Sequence, residues 1–245
     1  MRWGRLLVVN HRGRPVPRVL GIALAAAAAA ATVVVSAAGG VSAPGWGALA
    51  GCLLVCAAGL VDDLAPAGPR GLRNHVRAVA GGRMTTGVLK VVVTTGAAAV
   101  VLALQPARPG YARLAGVVLL AASANAWNGL DVRPGRALKA FLLPAAAFLV
   151  WGDPGLAPAL LGLLVGAVVV LPIDLGERAM LGDAGSNLLG FAAGLGLTHV
   201  LPDPWVPIAA VLAVALNVLA ETVTFSRIID AAPPLRFVDR LGRRA

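Results

Sequence analysis

Long apolar runs broken by short polar clusters make up nearly the whole chain. A helix needs about 20 mostly apolar residues to cross the hydrocarbon layer of a bilayer. Eight windows approach that length, at residues 19–38, 45–61, 88–104, 112–128, 137–151, 156–173, 185–201 and 205–224. Gly and Pro shorten or interrupt several of them, as transmembrane helices tolerate. The pattern predicts an all-α fold: a polytopic transmembrane helical bundle of about eight spans, forming a single integral membrane domain over residues 1–245, with residues 225–245 as a basic tail. Five arginines precede the first window, and no convincing small-residue cleavage site follows it. It therefore reads as a retained helix rather than a secretory signal peptide, despite the alanine run Ala25 to Ala31.

Composition agrees with the pattern. The 245 residues are 58% hydrophobic and 13% charged, with a mean hydropathy of +0.83, more apolar than one soluble core requires. The net charge of +10 is distributed by topology. With the N-terminus in the cytoplasm, the inner segments collect Arg2 to Arg18, then Arg70, Arg73, Arg77, Arg83 and Lys90, then Arg133, Arg136 and Lys139, then Arg178, then Arg227 to Arg244. Only Arg108 and Arg113 fall outside. The positive-inside rule then places both termini in the cytoplasm. With one Tyr and five Phe, the chain lacks the interleaved aromatic and basic residues of nucleic-acid binders. Cys52 and Cys56 read as buried small apolar residues rather than a metal pair or a disulfide.

Carboxylates at the edge of a membrane span are costly, so each of the eleven acids needs a reason. Asp153 and Asp203 sit in outer Pro-containing turns, "WGDPG" and "LPDPW". The other nine fall on the cytoplasmic side. Asp62 and Asp63 end the second span in "GLVDDL", Asp131 follows the fourth in "NAWNGLD" behind Asn125 and Asn128, and Asp183 opens the seventh in "AMLGDAGSNLLG". Any one of these acids could simply cap a helix or face water. As a set beside basic loops they suggest a Mg²⁺-diphosphate site, because Mg²⁺ combines one or two carboxylates with substrate phosphates. Adjacent Asp62 and Asp63 also repel each other unless a cation or several donors hold them. In "GDAGSN", Gly182, Ala184 and Gly185 leave N–H groups at a helix start open to a phosphate, and Ser186 adds a hydroxyl. The loop carrying Arg70, Arg73, Arg77, Arg83 and Lys90, with Thr85, Thr86 and Gly87, reads as a phosphate-binding lip.

These segments together resemble the polyprenyl-phosphate N-acetylhexosamine-1-phosphate transferases, the family that includes the phospho-N-acetylmuramoyl-pentapeptide translocase and the enzyme making polyprenyl-diphospho-N-acetylglucosamine. "NHRGRPVPRVLGIAL" resembles the family's approach to its second span, "GLVDDL" its Asp-Asp motif and "NAWNGLD" its Asn-rich motif. "MLGDAGSNLLG" resembles its Gly-Asp-x-Gly-Ser motif, and "ETVTFSRIIDAAPP" the segment before its last cytoplasmic loop. The five follow in the family's order and cover most of the chain. The resemblance implies a helical, Mg²⁺-dependent enzyme of the bacterial plasma membrane, serving cell-envelope biogenesis. It would transfer a sugar phosphate from a UDP-sugar to a polyprenyl phosphate, undecaprenyl or decaprenyl, and release UMP. Eight spans instead of the family's ten correspond to loss of the first and last.

By the same resemblance, Asp183 is the principal Mg²⁺ ligand, Asp62 and Asp63 hold the metal or the lipid phosphate, and Asn128 and Asp131 bind the diphosphate or nucleotide. Asn125, Lys90, Gly185 and Ser186 complete the expected substrate-binding set. The chain departs from the family after "AAPP", where "LRFVDRLGRRA" contains no histidine, and after Asp131, where "VRPGRALK" brings Arg133, Arg136 and Lys139 in place of acid. Those bases are expected to grip a phosphate directly. The departures support an alternative, a non-catalytic relative that binds polyprenyl phosphate or a lipid-linked sugar as an envelope-assembly partner. A transporter fits less well, since the acids face one side rather than the midplane. A homodimer is compatible with the sequence. Gly59, Gly87, Gly190, Gly194 and Gly196 suit close helix packing. The tail after Pro233 and Pro234 reads as a basic interfacial segment or as disorder, with Arg236, Arg240, Arg243 and Arg244 open to anionic lipid.

Overall fold

Ten helices and one short hairpin account for the ordered elements of the computed structural model, which describes residues 6–10, 12–65, 85–152, 158–222 and 225–243. The hairpin pairs β1 (Leu7–Val9) with β2 (Pro15–Pro17). The helices are α1 (Leu20–Gly39), α2 (Ala43–Leu64), α3 (Thr86–Leu104), α4 (Gly110–Leu130), α5 (Arg136–Trp151), α6 (Pro158–Leu175), α7 (Gly182–Val200), α8 (Trp205–Thr222), α9 (Phe225–Ala231) and α10 (Pro233–Arg240). A helix occupies each of the eight apolar windows, and the all-α expectation is met apart from the hairpin. Among the described residues α1, α2, α3 and α6 are each long and apolar enough to cross a membrane, and α8 joined to α9 makes a fifth candidate.

Local chemistry sets the helix ends. Ser42 accepts a hydrogen bond from Gly45 N at 3.3 Å to start α2, with Pro44 in the first turn. Thr85 accepts one from Val88 N at 3.3 Å to start α3. Gly135, left-handed at φ 74°, breaks the chain between α4 and α5, where "VRPGR" cannot continue a helix.

The innermost helix is α7, which packs against α4, α2, α5 and α1 and is buried along nearly its whole length. Its glycines make this possible. A Cβ on Gly190 would lie 2.3 Å from Ser123 O, and one on Gly194 would lie 2.9 Å from Leu120 Cα. Small residues at such crossings replace hydrophobic driving force with close contact. The outer faces of the other helices are apolar and exposed, with Val100 62%, Leu143 77% and Val169 62% accessible. A bundle with a small-residue centre and an apolar exterior suits lipid rather than water. Alternate helix ends therefore gather at one end of the bundle: the starts of α1, α3, α5 and α7 and the finishes of α2, α4 and α6.

Candidate functional site

At that end, the finish of α2 and the start of α7 touch. A Cβ on Gly59 would lie 2.4 Å from Asp183 O, so only glycine admits the contact. The approach brings Asp63 under the first turn of α7, where its carboxylate accepts from Asp183 N at 3.1 Å and Ala184 N at 3.0 Å. Asp63 thus caps a helix on which it does not lie, satisfying two of the free N–H groups of that helix start. Arg18 holds the same residue from the other side, with Nη1 2.9 Å from Asp63 Oδ1 and Nη2 donating to Asp63 O at 2.6 Å.

Arg18 arrives by a second route that the sequence did not signal. The β1–β2 hairpin runs into Arg18, which forms a parallel bridge with Met180 just before α7. Met180 N donates to Pro17 O at 2.9 Å and Leu20 N to Met180 O at 3.1 Å. Glu177 ties down the hairpin tip, accepting from Asn10 Nδ2 at 2.6 Å and lying 3.2 Å from Arg12 Nε.

Asp62, one residue before Asp63, points about 100° away around the helix. Its carboxylate and that of Asp183 converge on one cation: Lys90 Nζ of α3 stands 3.2 Å from Asp62 Oδ2 and 2.7 Å from Asp183 Oδ2. The Thr86 side chain also hydrogen-bonds Asp62. Asn187 Nδ2 donates to Asp183 O at 2.6 Å, fixing the turn that carries the carboxylate. From α4, Asn128 Oδ1 lies 3.1 Å from Ser186 Oγ, which itself donates to Gly182 O at 2.9 Å. Asp131 closes the group, since its carboxyl accepts from the Gly182 backbone N–H. Withdrawal from water pushes the Asp131 carboxyl well above its ordinary range, and the charges of Asp174, Asp183 and Asp63 add to the effect.

The structure thus gathers Asp62, Asp63, Asp131, Asp183, Asn128, Ser186 and Lys90, all named from sequence, at one end of the bundle. It gives several of them different work. Asp63 spends its oxygens on α7 and Arg18. Gly185 faces α1, because a Cβ on Gly21 would lie 2.3 Å from Gly185 N, and Ser186 is fully buried, so neither opens to a phosphate. Asn125 joins Asn217 of α8 instead, donating at 2.6 Å. Arg133 is exposed. Arg136 and Lys139, expected to grip phosphate, hold the C-terminal segment instead. Arg136 Nε and Nη2 bond Asp239 at 2.8 and 3.1 Å, and Nη1 bonds Ser226 Oγ at 3.0 Å. Lys139 Nζ donates to the carbonyls of Val238, Asp239 and Leu241 at 2.9, 2.9 and 2.7 Å. Arg243 pairs with Asp239 and donates to Pro134 O, and is thereby drawn from the set expected to be open to lipid. The lip formed by Arg70, Arg73, Arg77 and Arg83 lies outside the described residues; of its helix-start residues, Thr85 caps α3 and Thr86 serves Asp62.

For a divalent cation, the residues fit in part. Among the described residues no three Asp, Glu, His or Cys side chains converge as metal ligands. Asp62 and Asp183, however, already share one positive charge, and two carboxylates suffice for Mg²⁺ when substrate phosphates complete its shell. No family profile, no curated protein and no solved structure matches the chain.

Proposed function

We propose that this protein is a membrane glycosyl-1-phosphate transferase, moving a sugar phosphate from a UDP-sugar to a polyprenyl phosphate at the cytoplasmic face and releasing UMP. The observation that carries the reading is the excess of carboxylate at one end of the bundle: Asp62, Asp63 and Asp183 against Lys90 and Arg18, with Asp131 beside them, its carboxyl pushed up by burial and by the surrounding negative charge. That imbalance calls for a further cation, and an anionic diphosphate would come with one. Asp62 and Asp183 are the residues that would hold Mg²⁺, and bound there it would neutralise the charge developing on the phosphates as the phosphoryl group transfers. Lys90 adds positive charge at the same point, and Asn128 with Asp131 lines the adjoining side. Asp63, Arg18 and Ser186 keep α7 in place. The motif order resembling the transferase family supports the same reading, with both termini on the cytoplasmic side of an eight-span bundle in a bacterial plasma membrane.

A second reading, a non-catalytic relative binding polyprenyl phosphate or a lipid-linked sugar, draws on one observation. Lys90 bridges Asp62 and Asp183 by itself, which a protein with no use for Mg²⁺ would retain. The deciding experiment incubates the purified protein with undecaprenyl phosphate, Mg²⁺ and a panel of UDP-sugars, beside Asp183→Asn. UMP release requiring the lipid, the metal and Asp183 is the expected result. No release with any donor, from protein that still binds the lipid phosphate, would transfer the case to the non-catalytic reading.

A further inference from the structure

The C-terminal helix α10 is attached to the bundle by the side that a water-soluble protein would expose. At 100° per residue, Asp239, Arg236 and Arg240 share one half of its circumference, while Leu235, Phe237 and Val238, with Leu241 just beyond, share the other. Asp239 is the buried member, 6% accessible, locked by Arg136 and Arg243. The apolar side faces out, with Leu235 51%, Phe237 68%, Val238 51% and Leu241 57% accessible. Eight residues hold a helix poorly in water by themselves. This one is held by Lys139, whose ammonium takes the carbonyls at its C-terminal end.

Three further features say what covers the apolar side. The chain bends by 99° between α8 and α9, so α9, which leads into α10, does not continue the direction of α8. Arg236 and Arg240 flank the apolar residues and are both exposed. An open hollow of about 510 Å³ joins Arg236 and Arg240 to Pro233, Phe237, Leu241 and Gly242, setting cationic and apolar groups side by side as a phospholipid headgroup and its acyl chain require.

From these we infer that α10 is a docking element for an anionic bilayer surface: Asp239 fixes it to the bundle, Leu235, Phe237, Val238 and Leu241 enter the headgroup boundary, and Arg236 and Arg240 take lipid phosphates. The inference rests on the membrane-spanning helices and not on the proposed transferase activity.

The test uses the full chain with Cys52→Ala and Cys56→Ala, spin-labelled at Phe237→Cys, in nanodiscs of phosphatidylcholine alone or with phosphatidylglycerol. Collision with oxygen, which concentrates in lipid, is compared with collision with a water-soluble nickel chelate. A label at Leu143→Cys, on the exposed face of α5, reports whether the bundle is intact and in lipid. The expected result is a severalfold rise in the oxygen-to-nickel ratio at position 237 when phosphatidylglycerol is present. Arg236→Glu with Arg240→Glu, or high salt, should cancel the rise while the Leu143 label is unchanged. Equal nickel access in both nanodiscs would overturn the inference. So would dipolar broadening between labels of two copies, which would make α10 a self-association surface.

Discussion

Asp62 and Asp63 are neighbours in sequence and carry the same group, yet substitution should separate their roles. Asp63 accepts two backbone N–H bonds and an arginine, so Asp63→Asn turns an amide N–H₂ toward donors and leaves Arg18 without its anion. Leaving buried partners unsatisfied costs about 1–3 kcal/mol each. Asp62→Asn loses a single charge partner at a half-buried position. Thermal unfolding in detergent should therefore fall clearly for Asp63→Asn and little for Asp62→Asn or Asp183→Asn. UMP release should drop at least about a hundredfold in both of the latter. Equal loss of stability in all three variants would remove the distinction. Asp239 gives a pH-dependent counterpart. Burial pushes its carboxyl up, but the hydrogen bond and charge of Arg136 and the charge of Arg243 outweigh this and hold it below the usual 3.8. A depressed carboxyl stabilises the folded form above its unfolded pKa and loses that contribution as pH falls through the folded one. A spin label at Arg240→Cys should be immobilised near pH 6 and become mobile only once the pH is taken below the usual 3.8. Mobility that does not change with pH would mean that Asp239 is not the lock. None of this division of labour was readable from "VDDL". The sequence shows that two carboxylates are present, whereas which one faces Lys90 and which faces α7 depends on the angle at which α2 meets its neighbours.

The elements themselves were legible wherever they are long and apolar. All eight windows became helices with ends shifted by a few residues, because hydrophobic length is a property of local sequence. The hairpin Leu7–Pro17 was not anticipated. Its strands are three residues long and one is "PVP", too short and Pro-rich to show a period of two. Its purpose appears only in the pairing of Arg18 with Met180, distant in the chain. Likewise, glycine content announced close packing without saying which glycines matter. Gly59 is one that does, as Gly59→Ala would drive a methyl against the backbone of Asp183 and Ala184. Overpacking of this kind costs about 1–3 kcal/mol. It should also part Asp62 from Asp183, so UMP release is expected to fall although Gly59 carries no chemistry. Gly96 on α3 meets nothing within 4 Å, and Gly96→Ala should be neutral or gain up to about 1 kcal/mol from helix propensity. Parallel melting curves and activity assays on the two alanine variants make the comparison. Similar behaviour of both would mean that α2 and α7 do not depend on their close crossing.

For the molecule as a whole, the arrangement of ends carries a topological consequence. UDP-sugars are made in the cytoplasm, so the proposed reaction requires the end bearing Asp62, Asp131 and Asp183 to face that compartment. The same end holds the start of α1 and the α10 segment docked on Arg136 and Lys139, so both termini must share its side. The excess of Arg and Lys in the segments that meet there points in the same direction. Only an even number of crossings satisfies these conditions, and the eight proposed spans would do so. Among the described residues α4, α5 and α7 are not among the helices long and apolar enough to count as spans by themselves, although their apolar windows suggested spans from the sequence. α5 has 16 residues, α4 carries Asn125 and Asn128, and α7 is rich in Gly with Ser186, Asn187 and Thr198. A helix surrounded by other helices need not be as apolar as one that meets lipid, which is why α7 can carry the polar residues that build the site. Single cysteines placed at Tyr111 and Trp151, at the start of α4 and the finish of α5, should react with a membrane-impermeant maleimide from the side opposite to cysteines at Arg133 and Arg240. Tyr111, Trp151, Arg133 and Arg240 are all exposed, so each reports by the compartment it faces rather than by burial. Right-side-out and inside-out vesicles supply the two accessible faces. Labelling of Arg133→Cys and Arg240→Cys from opposite faces would require an odd number of crossings between them, and would place the docked tail and the carboxylates on different sides of the membrane. The contacts from Arg136 and Lys139 to the tail would then be impossible, and with them the single cytoplasmic site on which the proposed transfer depends.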